Sequence, residues 1–169
     1  MEFSNSLKKN NIRLITAEDD HLIASIIRSN LKKFNLDIPG TAYFDTELDH
    51  LSGYYNSLPS KRAYFVLVNS EDKVIGGIGI AEFDGFDKCA EIQKLYLADE
   101  AKGKGMGKYL IEVAEDYAKK YGYKRLYLET HTNLQAAIKL YEKNGFEKID
   151  KPKTVLHSAM NGFYIKELQ

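Results

Sequence analysis

Residues 101–110 read AKGKGMGKYL, with glycine at 103, 105 and 107 set among Lys102, Lys104 and Lys108. The run before it, residues 90–98 (AEIQKLYLA), reads as a strand. The run after it, residues 105–121, puts Leu110, Ala114, Tyr117, Ala118 and Tyr121 on one helical face. A strand that turns through glycine into a helix confines the chain to folds in which sheet and helix share a core. It also prescribes a chemistry. Glycine has no Cβ, so the main chain can take φ > 0 and approach a ligand closely. The free amides that open the helix converge at the positive end of its dipole, and the lysines add mobile charge around them. Such a loop suits an anion, and phosphate or pyrophosphate is the natural candidate.

Two known phosphate loops do not fit. The pattern G-x-x-x-x-G-K-[ST] is one residue longer than the spacing here, and GKGMGKY puts Tyr109 where a magnesium-binding hydroxyl belongs. The dinucleotide pattern G-x-G-x-x-G needs glycine at 108 or 110, where Lys108 and Leu110 stand. No flanking unit supplies its ribose carboxylate.

The remaining chain reads as one domain over residues 11–169 behind a polar leader, residues 1–10. The spacing predicts a strand over 11–16, with Thr16 and Asp19 as a capping pair. A helix follows through Leu22, Ile23, Ile26, Ile27, Leu31 and Phe34, stopped by Pro39 and Gly40. A second helical pattern over 47–58 uses Leu48, Leu51, Tyr54 and Tyr55. Residues 63–69 and 74–83 form an antiparallel hairpin around SEDK. Beyond the glycine loop come a strand over 124–130, a helix over 133–143 closed by Asn144 and Gly145, and the closing strands FEKI and GFYIKEL. The order β-α-α-β-β-β-α-β-α-β-β belongs to a mixed α/β layer structure.

Charge excludes several partners. Lysine plus arginine balances aspartate plus glutamate at 24 each, which removes the electrostatic case for a general nucleic-acid or membrane-surface binder. The single cysteine, Cys89, rules out an internal disulfide and suits a reducing compartment. No apolar signal core opens the chain, and no apolar run approaches the roughly 18 residues that span a bilayer. The expectation is a cytoplasmic protein, monomer or homodimer, with no nucleic-acid or membrane partner.

The strand EIQKLYLADE, the loop KGKGMGKYL and the later NLQAAIKLYEKNGFEKI together resemble the GCN5-related N-acetyltransferase (GNAT) family. The resemblance follows element order over residues 13–168 and is specific over 91–149. The family loop [Q/R]-x-x-G-x-[G/A] is met as Lys102-Gly103-Lys104-Gly105-Met106-Gly107. Lys102 is the departure: it keeps the charge but lacks the planar fork that grips an oxygen pair. The resemblance implies an α/β (α+β) three-layer fold. Its mixed, mostly antiparallel sheet has about six to seven strands flanked by helices, with splayed central strands at a coenzyme site. It implies acetyl-CoA as co-substrate and no metal. The amides of residues 103–108 would bind the pyrophosphate, and the main chain at Leu95, Tyr96 and Leu97 the pantetheine arm and thioester. Asn133 would hold the pantetheine arm while also able to cap its helix. Lys143 has two open roles, reaching the nucleotide phosphates or facing solvent.

Acetyl transfer from a thioester to an amine needs a neutral amine, a stabilised oxyanion and a proton for the departing thiolate. An alkyl ammonium titrates near about 10 and is mostly protonated at neutral pH, so a carboxylate acting directly or through water is a plausible base. Tyr141, whose counterpart in the family commonly faces the coenzyme sulfur, is the candidate acid. Glu91 is the candidate base by analogy of position, with Glu82, Asp84, Glu129 and His131 as competitors. Cys89 is read as a buried or inert thiol, which favours direct transfer in a ternary complex over an acetyl-enzyme.

By the same resemblance, acceptor choice falls to residues 35–55. There Tyr43, Phe44, Tyr54 and Tyr55 interleave with Asp37, Asp45, Glu47 and Asp49, a composition suited to a cationic amine. The expected function is acetyl-CoA-dependent N-acetylation of a primary amine on a small molecule or an amino-acid or peptide acceptor. The alternative is a non-catalytic acyl-CoA-binding sensor.

Overall fold

A computed structural model describes residues 11–155 and 157–169. The polar leader, residues 1–10, lies outside them. The strands are β1 (Ile12–Leu14), β2 (Ala63–Val68), β3 (Val74–Phe83), β4 (Cys89–Leu97), β5 (Arg125–Thr130), β6 (Glu147–Ile149) and β7 (Gly162–Glu167). They form a seven-stranded sheet in the order β1-β2-β3-β4-β5-β7-β6. Every neighbouring pair is antiparallel except β4 and β5, which run parallel because a helical crossover joins them.

Four helices cover the two faces: α1 (Asp20–Lys33), α2 (Leu51–Tyr55), α3 (Met106–Lys120) and α4 (Gln135–Lys143). On one face the stripe Ile23, Ala24, Ile27 and Leu31 of α1 packs with Tyr55, Tyr64 and Val66. On the other, Leu110, Ile111, Ala114 and Tyr117 of α3 pack with Phe65, Ile78, Ile80 and Leu128, and Tyr141 of α4 joins them. This is the expected three-layer α/β arrangement. Among the described residues no helix is long and apolar enough to cross a membrane.

The expected capping pair is present: the Asp19 carboxylate accepts from the Thr16 main-chain N–H at 2.8 Å and also pairs with Arg13. The helix expected over 47–58 is shorter than its pattern. A 3-10 turn, Leu48–His50, leads through a bent His50 into the single turn of α2. There the Asp20 carboxylate takes the Ser52 N–H and hydroxyl, at 2.9 and 2.7 Å, so a distant side chain caps this helix and fixes where it starts.

Candidate active site

The site begins with a mismatch between strands. Gly79 pairs with Gln93 and Gly77 with Tyr96, so β4 carries one residue more than β3, and Lys94 takes φ +49°. This bulge reverses the alternation of side chains along β4. Before it, Ala90 and Ile92 face α3; after it, Leu95 and Leu97 do. The bulge also turns β4 away from β5. Pairing between them ends at Ile92 with Leu128, although β4 runs on to Leu97 and β5 to Thr130. From Gln93 onward the side of β4 that faced β5 has no strand against it, which is the expected splay.

A cleft of about 390 Å³ opens in this fork. Its walls include Leu95, Tyr96 and Leu97 from β4, Lys102, Gly103, Gly105, Met106, Gly107 and Lys108 from the glycine loop, and Tyr141 from α4. At the loop end, Gly103 and Gly105 adopt φ +75° and +76°, and a Cβ at either would meet nothing within 4 Å. Their glycines answer to backbone conformation alone. Gly107 answers to packing, because a Cβ there would sit 2.8 Å from Leu140 Cδ2 of α4. No side chain caps α3 at Gly105, so the first amides of the helix, in residues that line the cleft, have no partner inside the helix. Lys102 Nζ lies 3.1 Å from Asp99, which Lys33 also approaches at 3.6 Å.

The apolar part of the wall is formed by Ile92, Leu134, Ala137, Leu140 and Met160, and the lining also includes Tyr141 and Thr130, which carry hydroxyls. Tyr141 is buried, and that burial raises its pKa, so it holds its proton throughout the neutral range. Thr130, 2% exposed, ends β5 on the same face as Leu128, and its Oγ1 has no hydrogen-bond partner. It is the sole buried side-chain atom of this kind among the described residues. The sequence reading missed it, since a threonine at a strand end looks ordinary until the neighbouring strand leaves.

An ionic group of side chains lies beside the fork, and two of them, Lys94 and Glu129, also line the cleft. Glu91 is 8% exposed, and burial pushes its carboxyl up to about 7, with the nearby Glu129 adding to the rise. Gln93 Nε2 donates to Glu91 Oε1 at 2.6 Å, and the Tyr55 hydroxyl donates to Gln93 Oε1 at 2.6 Å. Glu129 accepts from the Tyr127 hydroxyl at 2.8 Å, and its carboxyl is also raised by burial. Asp45 contacts His157 Nε2 at 2.9 Å and Lys94 Nζ at 3.2 Å. Burial works to raise the Asp45 carboxyl, but the His157 ring and Lys94 hold it below its usual range.

Several expected residues lie elsewhere. Lys104, Asn133, Lys143 and Glu91 do not line the cleft. Asn133 does not cap its helix, which starts after Leu134; its side chain donates instead to the Phe34 carbonyl at 2.9 Å and ties α4 to the end of α1. Lys143 is exposed. Among the competing bases, Glu82 is paired with Arg62, Asp84 is exposed, and His131 Nδ1 accepts from the Asn133 N–H. Of the acceptor segment, Tyr55 is core and Asp49 is held by both guanidinium nitrogens of Arg28, while Phe44 is 57% exposed.

A fork between parallel strands, lined by a glycine loop at a helix N-terminus and by a buried tyrosine, defines an acyltransferase of the GNAT fold. The sequence model of the Acetyltransferase (GNAT) family matches residues 28–146. The chain is 40% identical to the uncharacterised N-acetyltransferase YjgM of Escherichia coli K12, over 82% of this chain and 83% of that one. It superposes on a GNAT acetyltransferase of Staphylococcus aureus Mu50 with a TM-score of 0.81 at 22% identity, covering 94% and 99% of the two chains. On PaiA N-acetyltransferase of Thermoplasma acidophilum, solved with coenzyme A, the TM-score is 0.73 at 22% identity, covering 92% and 97%. The chain belongs to the GNAT acetyltransferase family.

Proposed function

We propose that the protein transfers the acetyl group of acetyl-CoA directly to a primary amine of a small molecule or of an amino-acid or peptide acceptor. Residues 11–169 act as one catalytic domain. The observation that carries this reading is the fork itself, an apolar slot lined by the amides of the glycine loop and by the buried Tyr141.

The residues present fit the donor. The converging amides of residues 103–108 suit a pyrophosphate, and Lys102 and Lys108 suit its charge. The unpaired edge of β4 and the lone Thr130 hydroxyl offer hydrogen bonds along an otherwise apolar wall, as an amide-containing arm requires. When bound, acetyl-CoA supplies an activated acyl group. Tyr141 holds a proton beside the apolar end of the slot, ready for a departing thiolate. Glu91, poised near neutrality, takes a proton from the incoming ammonium, directly or through water. Cys89 is buried among Tyr127 and Phe163, and burial pushes its thiol up to about 12, which disfavours an acetyl-cysteine route. The Cys89→Ala enzyme therefore keeps its turnover.

Calorimetric titration with acetyl-CoA, ATP and a nicotinamide dinucleotide, followed by thiol release over a panel of amines, tests the reading. Selective acetyl-CoA binding with release on one amine class is expected. Binding without release across the panel would replace the enzyme with the acyl-CoA sensor. Absence of binding would remove the donor assignment.

A further inference from the structure

The base assignment leaves open what fixes the direction and basicity of a carboxylate buried on a strand. Glu91 and Gln93 are two apart on β4, before the bulge, so their side chains rise from the same face. The Gln93 amide has two ends, and its surroundings decide which points where. Ionised Glu91 can only accept, so against that form the amide turns its N–H to Glu91; the carbonyl end then faces Tyr55, whose hydroxyl donates to it. Tyr55 is fully buried, and its hydroxyl occupies the space that a Cβ on Gly79 would need. The chain from Tyr55 through Gln93 to Glu91 therefore has no slack at its anchored end.

We propose that Gln93 and Tyr55 are positioning residues for the catalytic base, holding Glu91 Oε1 so that Oε2 is the oxygen that takes the proton of the acceptor ammonium. The proposal rests on Glu91 being that base. One N–H bond of the ammonium breaks, an O–H bond forms on Glu91, and the amine keeps the electron pair for attack. Gln93 donates to the ionised form, so it opposes the rise that burial imposes on Glu91. Other groups share this environment: Tyr54 from α2, Lys94 and Cys89 on β4, Tyr127 and Glu129 from β5, and His157 from the β6–β7 loop. None of them is altered by a change at Gln93.

The test is the pH profile of kcat/KM for one accepted amine, read for the wild type, Glu91→Gln, Gln93→Met and Tyr55→Phe. The acceptor's own titration is common to all four. Gln93→Met keeps the length of the side chain and loses the amide; it moves the acid limb upward by about one pH unit, as loss of a hydrogen bond to an ionised group implies. Activity returns to within a few-fold of wild type above that limb. Tyr55→Phe keeps the Gln93 amide and moves the limb in the same direction by less. A merely structural role would lower activity equally at every pH, and that result overturns the proposal. If Glu91→Gln abolishes the limb while Gln93→Met leaves it in place, the positioning role alone is overturned. If the limb survives Glu91→Gln, the base assignment falls and the proposal with it.

Discussion

Replacing Glu91 by glutamine should make the protein more stable and less active, and only above a definite pH. Burial raises the Glu91 carboxyl from 4.5 to about 7. At about 1.4 kcal/mol per pH unit, the ionised form in the folded protein costs about 3.5 kcal/mol relative to the unfolded chain. The sign follows from where protons bind. Between the two values the folded state holds the proton and the unfolded state has lost it, so stability falls as pH rises through about 7. Below about pH 4.5 both states carry a neutral acid and the cost is absent. Glutamine has nearly the same shape, cannot ionise, and can still accept from Gln93. The variant should therefore come within about 1 kcal/mol of the wild type near pH 5 and exceed it by up to about 3.5 kcal/mol above pH 8, or roughly 7–14 °C in Tm for a chain of this size. Its kcat/KM should fall by about 10²–10⁴. Urea or thermal unfolding of both proteins at pH 5 and pH 8.5 measures the difference directly. An equal gap at both values would refute the buried-charge reasoning.

Tyr141→Phe should lower kcat by about 10- to 100-fold while the Kd for acetyl-CoA, measured by calorimetry, stays within about two-fold, since only the proton donor is lost. Gly105→Val places a β-branched residue at φ +76° and should cost about 1–2 kcal/mol of stability, seen in urea unfolding, and raise the KM for acetyl-CoA. Thr130→Val removes a buried hydroxyl that has no protein partner, so the free protein should lose no stability and gain up to about 1 kcal/mol. The same change should weaken acetyl-CoA binding. Unchanged affinity would detach Thr130 from the donor site.

What could be read from the sequence was written locally. Glycine and proline punctuate the chain closely enough to mark β2, β3, α3 and α4 to within a residue or two, and the loop glycines announce their anion because no other residue tolerates that backbone. The bulge in β4 also left a mark that went unread: Gln93 and Lys94 are consecutive polar residues inside an alternating strand, where a reversal of faces has to fall. Other features had no local signal. Asp20 caps α2 from 32 residues away, and His157 meets Asp45 across 112 residues. Nothing near either partner in sequence marks those contacts, because the sheet creates them. The carboxylates of residues 35–55 suggested a solvated or substrate-facing set; Asp45 and Asp49 instead spend their charge on Lys94, His157 and Arg28.

The glycines of β3 explain how the fork acquires its shape. Glycine within a strand weakens it, by losing entropy and leaving no side chain to pack, so Gly77 and Gly79 call for a reason. Each lies beneath a buried aromatic ring: a Cβ on Gly77 would run into Tyr64, and one on Gly79 into Tyr55, and the two rings pack on each other at 5.3 Å. Passing over bare backbone lets both hydroxyls reach β4 on either side of the point where its register slips. Tyr64 donates to the Lys94 carbonyl at 2.8 Å, at the bulge, and Tyr55 to Gln93 just before it. The bulge is thus pinned by Tyr55 of α2 and Tyr64 of β2, while the slot it opens is lined from both layers, by Asn30 and Phe34 as well as by the glycine loop and α4. The cleft and the base meet along one strand, and the same two tyrosines hold the bulge that shapes it. A side chain at Gly77 or Gly79 would displace a ring and disturb both at once.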